Sequence, residues 1–300
     1  MNLPRALLAS LTLLLAISAT VRLPAQNPTP NCSHCAEWNT PQEPFRIFGN
    51  TYYVGPHGIS SILITSPAGH ILIDGAIAES APQIAAHIRA LGFRVEDVKL
   101  ILSTHIHFDH AGGIAELQRM TGATVMASPS SARVLSTGEN DPADPQFEIL
   151  LPLEKVAKVK VLTPGETVHV GPLALTSHPT PGHTSGGTSW TWTSCEGNLC
   201  HSMVYADSVS AVSSDSYKFT HNSTNPHAIQ DFDKSFAFLE AVPCDILLTA
   251  HPEVADIWDK MEQRKAGVTP DPMVDPGACR QLAENARKQL DLRIAKETGK

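Results

Sequence analysis

The sequence predicts an α/β chain folded as an αββα sandwich, with two sheets face to face and helices on the outside. Short apolar runs bounded by Gly and Pro alternate with segments of helical periodicity, and that scheme occurs once in each half of the chain. No Gly/Ser linker, charge block or low-complexity tract separates the halves, although they share no sequence repeat. A single domain over 45–300, preceded by an arm at 26–44, is therefore expected, and it is long enough to bury a substantial core.

Residues 1–25 read as a secretory signal. Arg5 precedes an apolar run from Ala6 to Ala19, broken only by Ser10, Thr12 and Ser18, with small-residue cleavage points after Ala19 or Ala25. The run is short for a membrane span, so export to the periplasm or medium is expected, without stable membrane insertion. No lipobox-like run precedes Cys32.

In the first half, Tyr52–Val54, Ile59–Ile64 and His70–Ile73 read as a strand meander. Ser80 to Leu91 carries Ile84, Ile88 and Leu91 on one helical face, and Val98–Leu102 is the next strand. Ile114 to Thr121 reads as a helix. Residues 128–157, rich in Pro, Asp and Ser around Asp141-Pro-Ala-Asp-Pro145, read as one long connection of the kind that often carries function. The second half offers strands at 158–162, 166–170, 173–178, 187–194 and 202–206. A helix at 226–241 bears Phe232, Phe236 and Leu239, and the strand Ile246–Leu248 follows it. The last helix repeats Leu282, Ala286, Leu290 and Ile294 every four residues, a face suited to packing on a sheet.

The charge balance narrows the function. The chain carries 22 Lys and Arg against 30 Asp and Glu, a net charge of −8. Loss of residues 1–25 removes Arg5 and Arg22 and no acid, which takes the balance to −10. With no basic run anywhere, nucleic acid is excluded as partner or substrate, because phosphate neutralisation needs clustered cations. Nothing in the sequence demands more than a monomer. Of six cysteines, Cys195 and Cys200 flank a hairpin-like turn, and a Cys244–Cys279 bridge would pin the last helix to the sheet. Cys32 and Cys35 form a C-x-x-C that export makes a local disulfide or a pair of structural cysteines. Spacing alone does not fix these pairings.

The densest chemical signal is His105-Ile106-His107-Phe108-Asp109-His110, directly after a strand. With a side-chain period of two, His105 and His107 point the same way, and Asp109 and His110 follow at the turn. Only 14 histidines are spread over 300 residues, so such density marks a site for two adjacent metal ions. Gly112-Gly113 lets the chain turn closely past it. Neutral imidazoles and a carboxylate suit Zn²⁺, with room left for water. No G-x-S-x-G or S-x-x-K run offers a serine nucleophile.

Together with Pro181-Gly182-His183-Thr184 and Thr249-Ala250-His251-Pro252, each placed after an expected strand, this motif resembles the ordered signature of the metallo-β-lactamase superfamily. The resemblance runs from about residue 40 to the C-terminus. It is nearest to the third subclass of class B, through the runs Pro181 to Trp192, Met203 to Ser210 and Val242 to Leu248. It implies two zinc ions, one held by His105, His107 and His183 and the other by Asp109, His110 and His251. Asp74 matches the buried aspartate that orients the metal loop. Ser208, where other subclasses carry a cysteine ligand, would touch the substrate carboxylate together with Ser210, and Gln146 is a further candidate for substrate contact.

The implied activity is zinc-dependent hydrolysis of the β-lactam amide by a metal-bound hydroxide, giving resistance to penicillins, cephalosporins and carbapenems. Asp109 would serve as the catalytic carboxylate that orients the attacking water. Such enzymes carry a bridge equivalent to Cys244–Cys279, and some carry one like Cys195–Cys200. Where some relatives have a cysteine that pairs with the arm, this chain has Pro56-His57, so Cys32 needs another partner, for which Cys35 is one candidate and which the sequence does not fix.

The alternative is a secreted metallohydrolase of another ester, thioester or lactone on the same fold. Such enzymes bridge their metals with an aspartate in the strand that here carries Ala206-Asp207-Ser208, and a one-residue shift decides which side chain faces the metals. A zinc-binding or redox module without catalysis would leave the recurrence of ligands after strand ends unexplained. Of the other histidines, His57 is a minor candidate for the pocket rim, and Trp38 of the arm reads first as aromatic packing and only second as a cap on the pocket, whereas His169, His178, His201, His221 and His227 read as surface or packing residues.

Overall fold

A computed structural model describes residues 32–300, so the secretory signal read at 1–25 lies outside the described residues. The chain opens with one helical turn, α1 (Cys35–Trp38), and four short strands, β1 (Phe45–Phe48), β2 (Thr51–Tyr53), β3 (Ile62–Ile64) and β4 (His70–Ile73). Then come α2 (Ala81–Ala90), β5 (Val98–Leu102), the one-turn α3 (Phe108–Ala111), α4 (Ile114–Thr121), β6 (Thr124–Ala127), α5 (Pro129–Thr137) and β7 (Val159–Val161). The seven strands form one sheet in sequential order, antiparallel from β1 to β4 and parallel from β4 to β7.

The second sheet contains β8 (Thr167–Val170), β9 (Leu173–Pro179), β10 (Thr188–Glu196), β11 (Leu199–Ala206) and, after α6 (Ala228–Ala241), β12 (Ile246–Thr249). Its order is β12-β11-β10-β9-β8, and only the β11–β12 pair is parallel. Helices α7 (Ile257–Lys265) and α8 (Ala278–Thr298) end the chain, with α8 lying against α6 and β12.

Strand periodicity assigns each side chain to a layer. Ile62, Ile64, Ile71, Ile73 and Leu102 face the second sheet and pack with Trp190, Trp192, Met203 and Tyr205. Their alternates Leu63, Leu72 and Ile101 face outward onto Ile84 and Ile88 of α2 and Ile114 and Leu117 of α4. Both faces of β3 and β4 are thus buried, which is why these strands are continuous apolar runs. The expected αββα sandwich is the observed architecture.

Several local readings need correction. Residues 129–137, read as part of a long connection, form α5. Pro129 supplies a preset φ at its start, Ala132, Val134 and Leu135 bury one face, and Gly138 closes it in a left-handed cap. The Ser and Pro content hid that face, and the true connection begins at 138. Ile59 to Ser61 is not ladder strand, although Ser60 N–H donates to the Ala250 carbonyl in the other half of the sandwich. Strands β1 and β6 and helix α7 were not singled out from the sequence.

All six cysteines are paired, as Cys32–Cys35, Cys195–Cys200 and Cys244–Cys279. The second bridge joins directly opposed residues of the β10–β11 hairpin, and the third ties the start of β12 to the first turn of α8. No helix of the described residues is long and apolar enough to cross a membrane.

Candidate metal centre

The site forms where strands of both sheets end. Strand β5, flanked in parallel by β4 and β6, delivers residues 103–110 into a buried loop. Asp74, at the end of β4 with φ of 60°, fixes that loop: its carboxylate accepts from Thr104 N–H and Oγ1–H at 2.8 Å each and from the Tyr205 hydroxyl at 3.1 Å. Burial raises the Asp74 carboxyl to about 7 against the pull of these three donors. Asp74 therefore holds the metal loop, as the family resemblance implied.

Two groups of donors result. His105, His107 and His183 form one and Asp109, His110 and His251 the other, with the ligand atoms of each group within 4.8 Å of one another. The residues at 105–110 follow a strand of the first sheet, whereas His183 follows β9 and His251 follows β12 of the second. Gly182, at φ of 134°, lies where a Cβ would strike the ring of Phe232, so only glycine brings His183 inward past α6.

In the first group every imidazole is held by its outer nitrogen. His105 Nδ1–H donates to Asp207 Oδ1 at 2.7 Å, which leaves Nε2 buried without a partner. His107 Nε2–H donates to Asp144 at 3.1 Å, and His183 Nδ1–H donates to the Ser210 carbonyl at 2.8 Å. Each bond selects the tautomer whose other nitrogen carries a lone pair toward the centre. Burial, and then the neighbouring imidazoles, push His105 well below the usual range, and the same causes lower His183 to about 3. Neutral rings are the form a metal requires.

In the second group, Asp109 Oδ2 lies 3.1 Å from His110 Nε2 and 3.4 Å from His251 Nε2. Burial alone would raise the Asp109 carboxyl, but His110 and His251 outweigh it and hold the group well below the usual carboxylate range. His110 Nδ1 is buried without a partner. The orphaned Nε2 of His105, the fixed tautomers of the first group and, in the second, a buried carboxylate between two imidazole Nε2 atoms fit a pair of divalent cations.

The other residues named from the sequence surround this centre. Ser208 and Ser210 line a cavity of about 230 Å³ beside His251. The Gln146 amide nitrogen stands 3.4 Å from both His107 Nδ1 and His183 Nε2, so the long connection closes over the first donor group. The Trp38 ring lies 5.7 Å from that of His251 and roofs the second group. His57 stacks on Trp258 at 4.4 Å. His178 donates to or accepts from Thr191, and His201 packs edge-on against Phe48. Asp144 was missed, because one aspartate in a Pro-rich loop carries no periodicity or spacing to mark it. Asp207 proves to be the partner of His105's outer nitrogen, not a member of either donor group.

The profile of the metallo-β-lactamase superfamily matches residues 54–196. Among solved structures, Rm3 metallo-β-lactamase is 53% identical, with a TM-score of 0.87 over 90% of this chain and 100% of that one. This chain belongs to the metallo-β-lactamase superfamily. MEM-A1, a subclass B3 metallo-β-lactamase from a soil metagenome library, is 50% identical, with a TM-score of 0.85 over 87% of this chain and 99% of that one. A metal-dependent hydrolase of Staphylococcus aureus is 35% identical over 81 residues, 27% of this chain, and the match spans about a third of that relative's length (33%). The similarity to B3 metallo-β-lactamases thus extends over nearly the whole described chain, well beyond the metal-loop motif.

Proposed function

We propose that this protein is a dizinc hydrolase of the β-lactam amide bond and that penicillins, cephalosporins and carbapenems are its substrates. The observation that carries this reading is the double donor set, three imidazoles of fixed tautomer beside an Asp-His-His group. His105, His107 and His183 would hold one zinc, and Asp109, His110 and His251 the other. Bound zinc supplies a Lewis acid for the lactam carbonyl and lowers the pKa of water toward neutrality.

The protein's own groups do the rest. Asp109, kept as a carboxylate by His110 and His251 against the opposing effect of burial, would accept a hydrogen bond from the attacking water and orient it. Ser208 and Ser210 donate to the substrate carboxylate from the cavity beside His251, and Gln146 reaches the substrate from the opposite loop. Trp38 and Phe108, 6.3 Å apart, form an apolar wall that limits water at the second donor group. Asp207, Asp144 and the Ser210 carbonyl keep the imidazoles aligned.

Hydrolysis of a lactone or thioester would require Asp207 to bridge two metals. Its engagement with the outer nitrogen of His105 weighs against that alternative. The reading extends to a monomer of one domain over 45–300, exported behind the signal at 1–25 to the periplasm or medium. The three disulfides support an oxidising destination. The test is carbapenem turnover by the purified protein with chelator and then with zinc restored. Loss and recovery of turnover are expected. A folded protein that holds two zinc ions and turns over no β-lactam would refute the proposal.

A further inference from the structure

The loop that follows β11 carries Ser208 and Ser210 and has no ladder hydrogen bonds of its own over 207–227. Two side chains from the last turns of α8 hold it. Arg293 Nη2–H donates to the Tyr217 carbonyl and to Ser213 Oγ, both at 2.8 Å, and its guanidinium lies 5.4 Å from the centre of the Phe219 ring. Glu297 accepts from Phe219 N–H at 3.2 Å, Thr220 N–H at 2.9 Å and Thr220 Oγ1–H at 2.8 Å. The two side chains bond each other at 2.6 Å, and the Glu297 side chain is only 5% exposed. Charged donors and acceptors of this kind make roughly twice the contribution of neutral ones, more so away from water.

The same loop is tied to the opposite wall of the site. Ser214 N–H and Oγ–H donate to the Pro145 carbonyl at 2.9 and 3.3 Å. Pro145 lies between Asp144, which holds His107, and Gln146, which reaches His107 and His183. A continuous chain of bonds therefore runs from α8 through the 213–220 segment to both loops that close over the first donor group.

We infer that Arg293 and Glu297 are positioning residues: from the far end of α8 they set the loop bearing Ser208 and Ser210 and, through Ser214 and Pro145, the loop bearing Asp144 and Gln146. The consequence for substrate rests on the β-lactamase reading; the bonded chain itself does not. Neither residue touches substrate, so their loss should act on binding. Arg293→Met and Glu297→Gln should raise KM for a carbapenem about tenfold with kcat within about twofold, and Arg293→Lys should recover much of the loss.

Amide hydrogen exchange in zinc-free protein tests the chain directly. Glu297→Gln should speed exchange at Phe219, Thr220 and also Ser214. Arg287→Met, which breaks α8's ion pairs to Asp233 and Glu240 without touching the loop, is the control for general destabilisation and should leave Ser214 protected. Faster exchange at Phe219 and Thr220 with Ser214 unchanged would overturn the coupling. Equal acceleration of Ser214 in the Arg287 variant would overturn it too, and an unchanged KM in folded variants would overturn the role in binding. Failure of the wild type to turn over any β-lactam would instead refute the proposed function, and the exchange data would still decide the chain of bonds.

Discussion

Removing the Asp207 carboxylate should separate the two metal sites. In Asp207→Ala, His105 Nδ1–H loses a 2.7 Å acceptor in a pocket where both side chains are 0% exposed, so no water replaces it. Leaving that donor unmade costs about 1–3 kcal/mol, and the ring is freed to adopt the tautomer that turns its lone pair outward. Loss of such an outer partner lowers metal affinity about 10- to 100-fold, or about 1.4–2.7 kcal/mol. Only His105, His107 and His183 should be affected, because Asp207 bonds no member of the other group. Asp207→Asn keeps an acceptor without its charge and should lie near the lower limit, about tenfold. Global stability should change less than zinc affinity, because the variant also removes a buried carboxylate that Asp74 repels. Competition against a fluorescent zinc chelator, with native mass spectrometry for stoichiometry, resolves the two sites. Wild-type affinity at both sites in Asp207→Ala would refute the reasoning. Selective loss of the Asp109 site would mean that Asp207 is itself a ligand, as the lactone or thioester alternative requires.

Three further outcomes are expected. Opening Cys244–Cys279, which closes a 35-residue separation, should cost about 4 kcal/mol in denaturant unfolding, against about 2 kcal/mol for the five-residue Cys195–Cys200 hairpin; equal losses would contradict the loop-closure account. Gly187→Ala would drive a Cβ into the Thr180 carbonyl and the Asp207 carboxylate, so it should lose about 1–3 kcal/mol of stability and also first-site zinc affinity, read by thermal melts and chelator competition. Burial raises the Glu297 carboxyl, but bonds from Thr220, Arg293 and Phe219 outweigh it and hold the pKa below 4.5. A lowered carboxyl pKa stabilises fully above that value and is lost as pH falls through the folded-state pKa, so Glu297→Gln should flatten the acid limb of the stability profile below pH 4.5.

The architecture and the two donor groups were legible because each has its own sequence code. Apolar runs mark strands buried on both faces, and six His and Asp side chains after strand ends converge as two groups that could hold metal. Residues that act through another side chain leave no such code. Asp144 looks like any loop aspartate until the fold sets it against His107, 37 residues distant, and Asp207, which the sequence offered only as a metal bridge in the alternative reading, is set against His105, 102 residues distant. Arg293 and Glu297 stand outside the Leu282, Ala286, Leu290 and Ile294 repeat of the last helix, and only tertiary contact gives them the 213–220 segment. Helix α5 was hidden for a local reason: Ser130, Ser131 and Ser136 dilute its apolar face, and Pro129 reads equally well as a loop residue or as the first residue of a helix. The Asp207–Ser208 ambiguity was one of register, and the bond to His105 resolves the direction of Asp207.

The two donor groups draw on both halves of the sandwich, so the ions would cross-link the sheets. An ion held only by the folded state adds about 4 kcal/mol of stability per site when it stands a thousandfold above its dissociation constant. That is comparable with the contribution of the longest disulfide loop here. Metal supply would then govern how long the protein survives as well as how fast it turns over. A cell exporting this chain into zinc-poor surroundings would lose enzyme to proteolysis, and activity would fall more steeply with zinc than site occupancy alone requires.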